Sequence, residues 1–336
     1  MPDDPGLDET RIAECLQANY GLQAVSISFL PIGYDANAAV YRVVATDGAD
    51  WFLKVRFGPL HEPVLQIPRA LLDLGVRNVL APVPTRSAAL WCALDDAAVV
   101  LYPFIDGDNA MERGLTDEQW REFGATLRSI HDSGLDERFR GVLPRESFAL
   151  PAAAVARQMF AEAANARGES AAAARLAAFL QERAGQIDDI VARAEGLGAR
   201  LRARPFASVL CHADIHAANI LVDEGGQIHL IDWDNPLIAP RERDLLFVVG
   251  SRIARDVLPR EEVLFFAGYG PVAIDTDALI YYRYERSIED IGEFGKSVFL
   301  DARLSEERRA EEAALLMGYF APGGFLEPVE TVNLHH

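Results

Sequence analysis

The sequence predicts an α+β fold with two lobes, a small N-terminal lobe built on an antiparallel sheet and a larger, mainly helical C-terminal lobe. Residues 1–101 contain short apolar stretches separated by turn-forming residues, which is typical of strands joined by hairpins. Helices are predicted farther along the chain, at 116–131, 151–204 and 302–319. The predicted boundaries are an N-lobe at 1–101, a hinge at 102–106 and a C-lobe at 107–336.

Three elements of the N-lobe follow one another in the sequence. Segment 29–43 predicts a strand, a loop and a second strand, and Gly33 and Asn37 tolerate the positive φ that the loop requires. A further apolar strand is predicted at 51–56, directly after a turn signal. A helix is then predicted at 64–74.

A hairpin is the most informative element of the C-lobe. Segments 220–222 and 228–231 are short and apolar, and the residues between them are Asp, Glu, Gly and Gly. Such residues form turns, so the two strands should fold back on each other. Asn219 and Asp232 would then lie side by side at the open end of the hairpin.

The chemistry of this end depends on Asp214, which precedes Asn219 by five residues. Oxygen ligands from Asn and Asp are what Mg²⁺ accepts when it also binds substrate phosphates. A nearby carboxylate that binds no metal can orient a hydroxyl group and accept its proton. Protein kinases place such residues in the same order. The sequence therefore predicts a protein-kinase-like fold, with Asp214 as catalytic base and Asn219 and Asp232 as Mg²⁺ ligands.

Two other interpretations of this segment stay open. In the first, the Asp and Asn side chains only cap the turns of an ordinary hairpin. In the second, His212, Asp214 and His216 alternate along a strand, share one face and bind a metal for hydrolysis. The chain has seven His, and outside the terminal pair the others are not clustered at ligand spacing, which argues against the second interpretation.

A kinase also needs a Lys on an N-lobe strand, bound to the nucleotide phosphates and held by a Glu from the next helix. Of the 32 Lys and Arg residues only two are Lys, and one of them, Lys54, lies in the predicted strand. A compact ammonium suits this position better than a planar guanidinium. Glu62, just before the predicted helix, is the expected partner, with His61 or another acidic residue as alternatives. The loop with Gly33 and Asn37 could turn its backbone amides toward the phosphates.

Several segments, in order and at matching spacing, carry a resemblance to a known family. Ala213 stands where protein kinases have Arg, and Asp232-Trp233-Asp234 stands where they have Asp-Phe-Gly. The other segments are 51–58, 101–105, 210–219, 239–245, 281–286 and 289–291. They resemble the aminoglycoside phosphotransferase family of small-molecule kinases, and within it the spectinomycin phosphotransferases, over about residues 7–325.

The resemblance implies further roles. Tyr102, Phe104 and Ile105 would form the hinge and contact the adenine of ATP through backbone groups, whereas Pro103 has no N–H to donate. GTP is the alternative donor. Supporting or substrate-facing roles, with buried structural ion pairs as the alternative, are implied for Asp234, Glu285 and Asp290.

The acceptor is expected to be a small cationic molecule. Pro240 lies only eight positions after Asp232, which leaves too little chain for the peptide platform of a protein kinase. A net charge of −19 argues against a nucleic-acid partner and favours a cationic ligand. The resemblance implies phosphorylation of an aminocyclitol antibiotic such as spectinomycin, and thereby resistance. The alternatives are a kinase of a metabolite such as a sugar, choline or homoserine, and a non-catalytic kinase-like binding protein.

The location is expected to be the cytoplasm. Cys15, Cys92 and Cys211 match neither a disulfide framework nor zinc spacing, which favours a reducing compartment. The acidic N-terminal segment differs from a signal peptide, and no run approaches the roughly 18 apolar residues of a membrane span. No membrane partner is therefore expected.

Overall fold

The computed structural model describes residues 4–32, 37–165, 170–326 and 329. It divides into two compact units, one formed by Met1–Leu143 with Asp214–Pro236 and the other by Pro144–Ala213 with Leu237–His336. Each unit takes two separate stretches of the chain, so the units do not coincide with the lobes predicted at 1–101 and 107–336. Those lobes and the hinge at 102–106 stay predictions.

A five-stranded antiparallel sheet dominates the first unit. Its strands are β1 Ala24–Leu30, β2 Ala38–Ala45, β3 Asp50–Phe57, β4 Cys92–Leu94 and β5 Ala97–Pro103, in the order β1-β2-β3-β5-β4. Leu53 and Val55 of β3 are fully buried in an apolar core that also contains Ile12 and Leu16 of helix α1 (Glu9–Tyr20). Because side chains alternate along a strand, Lys54 and Arg56 lie on the opposite face of β3. The predicted antiparallel sheet is confirmed.

The first unit also contains further helices and a second, smaller sheet. Besides α1, its α-helices are α2 Pro63–Asp73, α3 Ala110–Arg113, α4 Asp117–His131 and α5 Leu135–Arg138. Helix α4 confirms the helix predicted at 116–131, and it begins with a capping box in which Thr116 and Gln119 bond each other's backbone amides. The small sheet pairs β6 Gly107–Asn109 with the hairpin of β8 Ile220–Asp223 and β9 Ile228–Leu230.

The second unit is mainly helical, as predicted. Its helices are α6 Ala152–Asn165, α7 Ala171–Glu182, α8 Ala184–Arg202, α9 Glu242–Leu245, α10 Pro259–Tyr269, α11 Thr276–Leu300 and α12 Glu306–Tyr319. Two short strands, β7 Val209–Cys211 and β10 Leu237–Ala239, pair antiparallel. The last helix starts later than the predicted 302 because the Ser305 hydroxyl caps it, accepting a hydrogen bond from the Arg308 amide. Among the described residues, no helix is both long enough and apolar enough to cross a membrane.

Candidate active site

The hairpin of the first unit brings Asn219 and Asp232 together. Strands β8 and β9 pair with Ile220 opposite Leu230, and the amide of Ile231 donates to the carbonyl of Asn219 at 3.0 Å. Asp232 therefore follows directly on the residue bonded to Asn219, at the open end of the hairpin. The predicted hairpin is confirmed, and so is the proximity of these two residues.

Asn219 has a fixed orientation. It ends a 3-10 turn, Ala217–Asn219, and is only 8% exposed. Its Nδ2 donates to the backbone carbonyl of Asp214 at 2.8 Å. The bond defines which end of the amide is the nitrogen, so Oδ1 is the atom that can face a cation. It also ties the backbone of Asp214 to the side chain of Asn219.

Asp232 has an unusual backbone for a residue that is not glycine. Its φ is 62°, in the left-handed region that Asp tolerates better than most residues. Its side chain is exposed. With the amide oxygen of Asn219, it offers the oxygen donors that Mg²⁺ prefers, and this donor set fits the predicted metal.

The backbone before Asp214 is held within the second unit by a carboxylate to which the sequence analysis gave no role. Asp244 is fully buried and accepts hydrogen bonds from the amides of His212 at 2.9 Å and Ala213 at 2.7 Å. Ala213 has a φ of 70°, which is strained for a residue with a Cβ. The two bonds to a charged acceptor stabilise this strained turn.

This turn contradicts the alternative of a metal site on one strand face. Strand β7 ends at Cys211, and the positive φ of Ala213 breaks the alternation that the alternative requires. His212 is fully buried. His216 does lie near Asp214, with Nε2 3.6 Å from Oδ2, and the side chain of Asp214 is 25% exposed.

Lys54 has a different partner from the one predicted. Its Nζ donates to Oδ2 of Asp234 at 2.9 Å, whereas Glu62 accepts from the indole N–H of Trp91 and the amide of Gln66, each at 3.2 Å. Among the described residues, then, Lys54 pairs with Asp234 and not with Glu62, which is the alternative of another acidic residue that the sequence left open. Glu62 directly precedes helix α2, which starts with Pro63, and its carboxylate accepts hydrogen bonds from nearby side chains instead of from Lys54.

Asp234 holds a second cation as well. A guanidinium nitrogen of Arg56 lies 3.6 Å from the same Oδ2 that accepts from Lys54. The side chains of Lys54, Arg56 and Asp234 are 22%, 28% and 32% exposed, so they are only partly screened by solvent. Arg56 is not among the site residues predicted from the sequence, although strand alternation alone puts it on the same face as Lys54.

The predicted hinge residues differ in what they can offer a nucleotide. The amide of Phe104 already donates to the carbonyl of Asp50 at 3.2 Å, and its ring lies under the guanidinium of Arg42. Burial raises the pKa of the Tyr102 hydroxyl, and the charges of Asp234 and Asp232 raise that pKa further. The roles predicted for Tyr102, Phe104 and Ile105 in a hinge stay predictions.

The predicted phosphate loop is described only in part. Gly33 lies outside the described residues. Asn37 is exposed, and its carbonyl accepts from the amide of Phe57 at 2.8 Å, which joins the start of β2 to the end of β3. The predicted roles of Gly33 and Asn37 stay predictions.

Two residues implied by the resemblance, Glu285 and Asp290 on α11, form buried ion pairs in the second unit. Glu285 is 7% exposed and accepts from Arg243 at 2.7 Å and from the hydroxyl of Tyr281 at 3.0 Å. Burial raises the pKa of Glu285 to about 7, although Arg243 opposes the shift. Asp290 accepts from Arg286 at 3.1 Å and is also buried. These contacts favour the structural alternative for both residues.

The chain belongs to the phosphotransferase enzyme family, whose model matches residues 28–281. It is a phosphotransferase with an alcohol group as acceptor and has the kinase-like fold of that family. The crystal structure of spectinomycin phosphotransferase APH(9)-Ia in complex with ADP and spectinomycin is similar over 98% of this chain and 99% of that one, with 30% identity and a TM-score of 0.87.

Two further proteins that resemble the chain share less of its sequence. Protein StrN of Streptomyces griseus is 27% identical over 225 residues, which cover 65% of this chain and 67% of StrN. Choline kinase LicA from Streptococcus pneumoniae has a TM-score of 0.56 at 16% identity, over 92% of this chain and 98% of that one. This last likeness shows the fold alone.

Proposed function

We propose that the chain transfers the γ-phosphoryl group of ATP to a hydroxyl group of an aminocyclitol antibiotic of the spectinomycin type. One observation carries the proposal. Within a single compact unit, Asn219 and Asp232 meet at the end of one hairpin, and the backbone carbonyl of Asp214 accepts a hydrogen bond from the side chain of Asn219. These are the groups that phosphoryl transfer requires. The alternative of an ordinary hairpin explains neither the positive φ of Asp232 nor the ion pair of Asp234 with Lys54.

Asp214 would orient the acceptor hydroxyl and take its proton. Its side chain is partly exposed and so can reach a substrate. Asn219 and Asp232 would hold Mg²⁺, which would neutralise charge on the phosphate oxygens. Within this arrangement the amide of Asn219 has its nitrogen turned to the carbonyl of Asp214, so that metal ligand and base would be positioned by the same bond.

Lys54 would bind the phosphates while its pair with Asp234 persists. An ammonium has three donors, and one bond to Asp234 leaves two for phosphate oxygens. Arg56 would add a second positive charge on the same strand face. Adenine would bond the backbone of Ile105, because the Phe104 amide is engaged and Pro103 has none.

The acceptor class rests on the likeness to spectinomycin phosphotransferase, at 30% identity over nearly the whole of both chains. A net charge of −19 suits a cationic antibiotic. The metabolite-kinase alternative has only fold-level likeness to choline kinase LicA in its favour. The binding-protein alternative would need a defective site, and the predicted catalytic and metal residues are all present.

The test is coupled ADP release with a panel of acceptors: spectinomycin, other aminocyclitols, choline, homoserine and neutral sugars, each with Mg²⁺. We expect spectinomycin or a related aminocyclitol to give the highest kcat/KM. Faster turnover of choline, homoserine or a sugar would replace the antibiotic with a metabolite. Absence of turnover with every acceptor, together with measurable ligand binding, would favour the binding protein.

Asp214→Asn serves as the chemical control for the same assay. The variant keeps the shape of the side chain but cannot accept a proton, and general-base catalysis is worth about 10²–10⁴ in rate. We expect single-turnover transfer to fall by that order while nucleotide affinity stays unchanged. Loss of nucleotide affinity would instead make Asp214 a metal ligand, and unchanged transfer would refute its role.

A further inference from the structure

Two of the three cysteines meet in the first unit, although 77 positions separate them in the sequence. Cys15 lies on helix α1 and Cys92 begins strand β4, and their Sγ atoms are 3.3 Å apart. Both are free thiols. A disulfide bond is about 2.05 Å long, so only a small side-chain movement separates the thiol pair from a covalent bond.

The surroundings of the pair favour reaction. The amide nitrogen of Asn19 donates to the backbone carbonyl of Cys15 at 2.9 Å and approaches its Sγ at 3.6 Å. The hydrogen bond from the Cys92 thiol lowers the pKa of Cys15 to about 7, and the same shared proton raises the pKa of Cys92. The thiolate is the form that attacks a disulfide.

A reagent can reach the pair from the edge of the sheet. Strand β4 is the last strand in the order β1-β2-β3-β5-β4, and Cys92 is partly exposed there, whereas Cys15 is 8% exposed. The reagent therefore approaches the pair past the partly exposed Cys92, and the Cys15 thiolate beside it, which has the lower pKa, attacks first. A low-pKa cysteine next to a resolving cysteine, here Cys92, is typical of redox-sensitive sites.

We propose that Cys15 and Cys92 form a modification site that reacts with low-molecular-weight disulfides and closes to an intramolecular disulfide. One protein thiolate attacks a sulfur of the reagent R–S–S–R, forms a mixed disulfide and releases RS⁻. The second protein thiol then loses its proton to solvent, and its sulfur displaces the remaining RS⁻. The two protein sulfurs are oxidised, the reagent is reduced to two RSH, and helix α1 becomes covalently joined to the edge strand.

Cys211 provides a matched control inside the same chain. It is fully buried in the second unit, and its thiol donates to the carbonyls of Ala239 at 3.7 Å and Pro240 at 3.6 Å. Burial raises the pKa of Cys211 well above that of an ordinary thiol. It should therefore stay reduced under conditions that oxidise the pair.

The experiment titrates the reduced full chain with oxidised glutathione, blocks remaining thiols by alkylation and maps tryptic peptides without reduction. Trypsin cleaves after Arg42, Arg56, Arg69 and Arg86, so Cys15 and Cys92 fall in different peptides and a disulfide joins them. We expect that joined peptide, with Cys211 alkylated throughout. Cys92→Ser and Cys15→Ser should abolish it, and Cys211→Ser should behave like the wild type.

Thermal unfolding gives a second measurement that needs no variant. A disulfide that closes a loop of this length stabilises by restricting the unfolded chain, so the oxidised protein should unfold at a higher temperature than the reduced protein. The proposal is overturned if no joined peptide forms at any glutathione ratio, if the wild type stops at the mixed disulfide, or if Cys211 is oxidised as readily as the pair.

Discussion

Asp234→Asn tests whether Asp234, and not Glu62, positions the ammonium of Lys54. A direct ion pair at 2.9 Å has a Coulomb energy of roughly 6 kcal/mol at an effective dielectric constant of about 20. The side chains of Lys54 and Asp234 are 22% and 32% exposed, so desolvation and screening leave a net value on the order of 1–2 kcal/mol.

An energy of about 1.4 kcal/mol corresponds to tenfold in binding. Without the carboxylate, Lys54 must be ordered by the phosphates themselves, and we expect ATP affinity to fall about tenfold. Adenosine, which has no phosphate, should bind as before. Isothermal titration with both ligands therefore separates a local effect on Lys54 from general damage to the site.

A double-mutant cycle isolates the pair. In a Lys54→Met background, Asp234→Asn should weaken ATP binding little further, because its partner has already gone. Glu62→Gln is the matched carboxylate control and should be close to neutral, since Glu62 contacts Trp91 and Gln66. Unchanged or tighter ATP binding by Asp234→Asn, or a large loss for Glu62→Gln that disappears without Lys54, would refute the assignment.

Three further predictions concern other parts of the molecule. Asp244→Ala should lower the unfolding free energy by about 3–5 kcal/mol in urea titrations, because two buried amides lose a charged acceptor, whereas Asp244→Asn should cost less. Gly107→Ala should destabilise strongly, because its Cβ would lie 2.1 Å from the carbonyl oxygen of Val222, while Gly196→Ala in α8 meets no atom within 4 Å and should be neutral or slightly stabilising in thermal unfolding. Since the folded pKa of Glu285, about 7, exceeds its unfolded value, the folded state binds the extra proton and stability should fall as pH rises from about 4.5 to 7; Glu285→Gln should remove this slope.

The parts of the site that the sequence predicts correctly depend on contacts between residues close to each other in the sequence. The turn residues between the strands of the hairpin, and the apolar strands themselves, suffice to bring Asn219 next to Asp232. The antiparallel sheet also follows from turn signals and apolar strands. In both cases the contacts join residues that are near each other in the chain or separated by one recognisable turn.

The partner of Lys54 depends instead on packing between distant segments. Asp234 is 180 positions away from Lys54 in the sequence, and local pattern gives no information on such a contact. Glu62 was the nearer acidic residue, but Trp91 and Gln66 satisfy it. Cys15 and Cys92 illustrate the same limit, because their spacing matches no motif although their sulfurs are 3.3 Å apart.

The backbone beside the candidate catalytic groups is strained, and hydrogen bonds with other residues stabilise it. Ala213 and Asp232 both have positive φ, at 70° and 62°, and such conformations cost on the order of 1–3 kcal/mol each. Two hydrogen bonds to Asp244 offset the cost at Ala213, and the bond from Ile231 to Asn219 fixes the chain just before Asp232. Strain of this size persists only where neighbouring contacts hold it. The turn at His212 and Ala213 therefore depends on Asp244 as much as on its own residues.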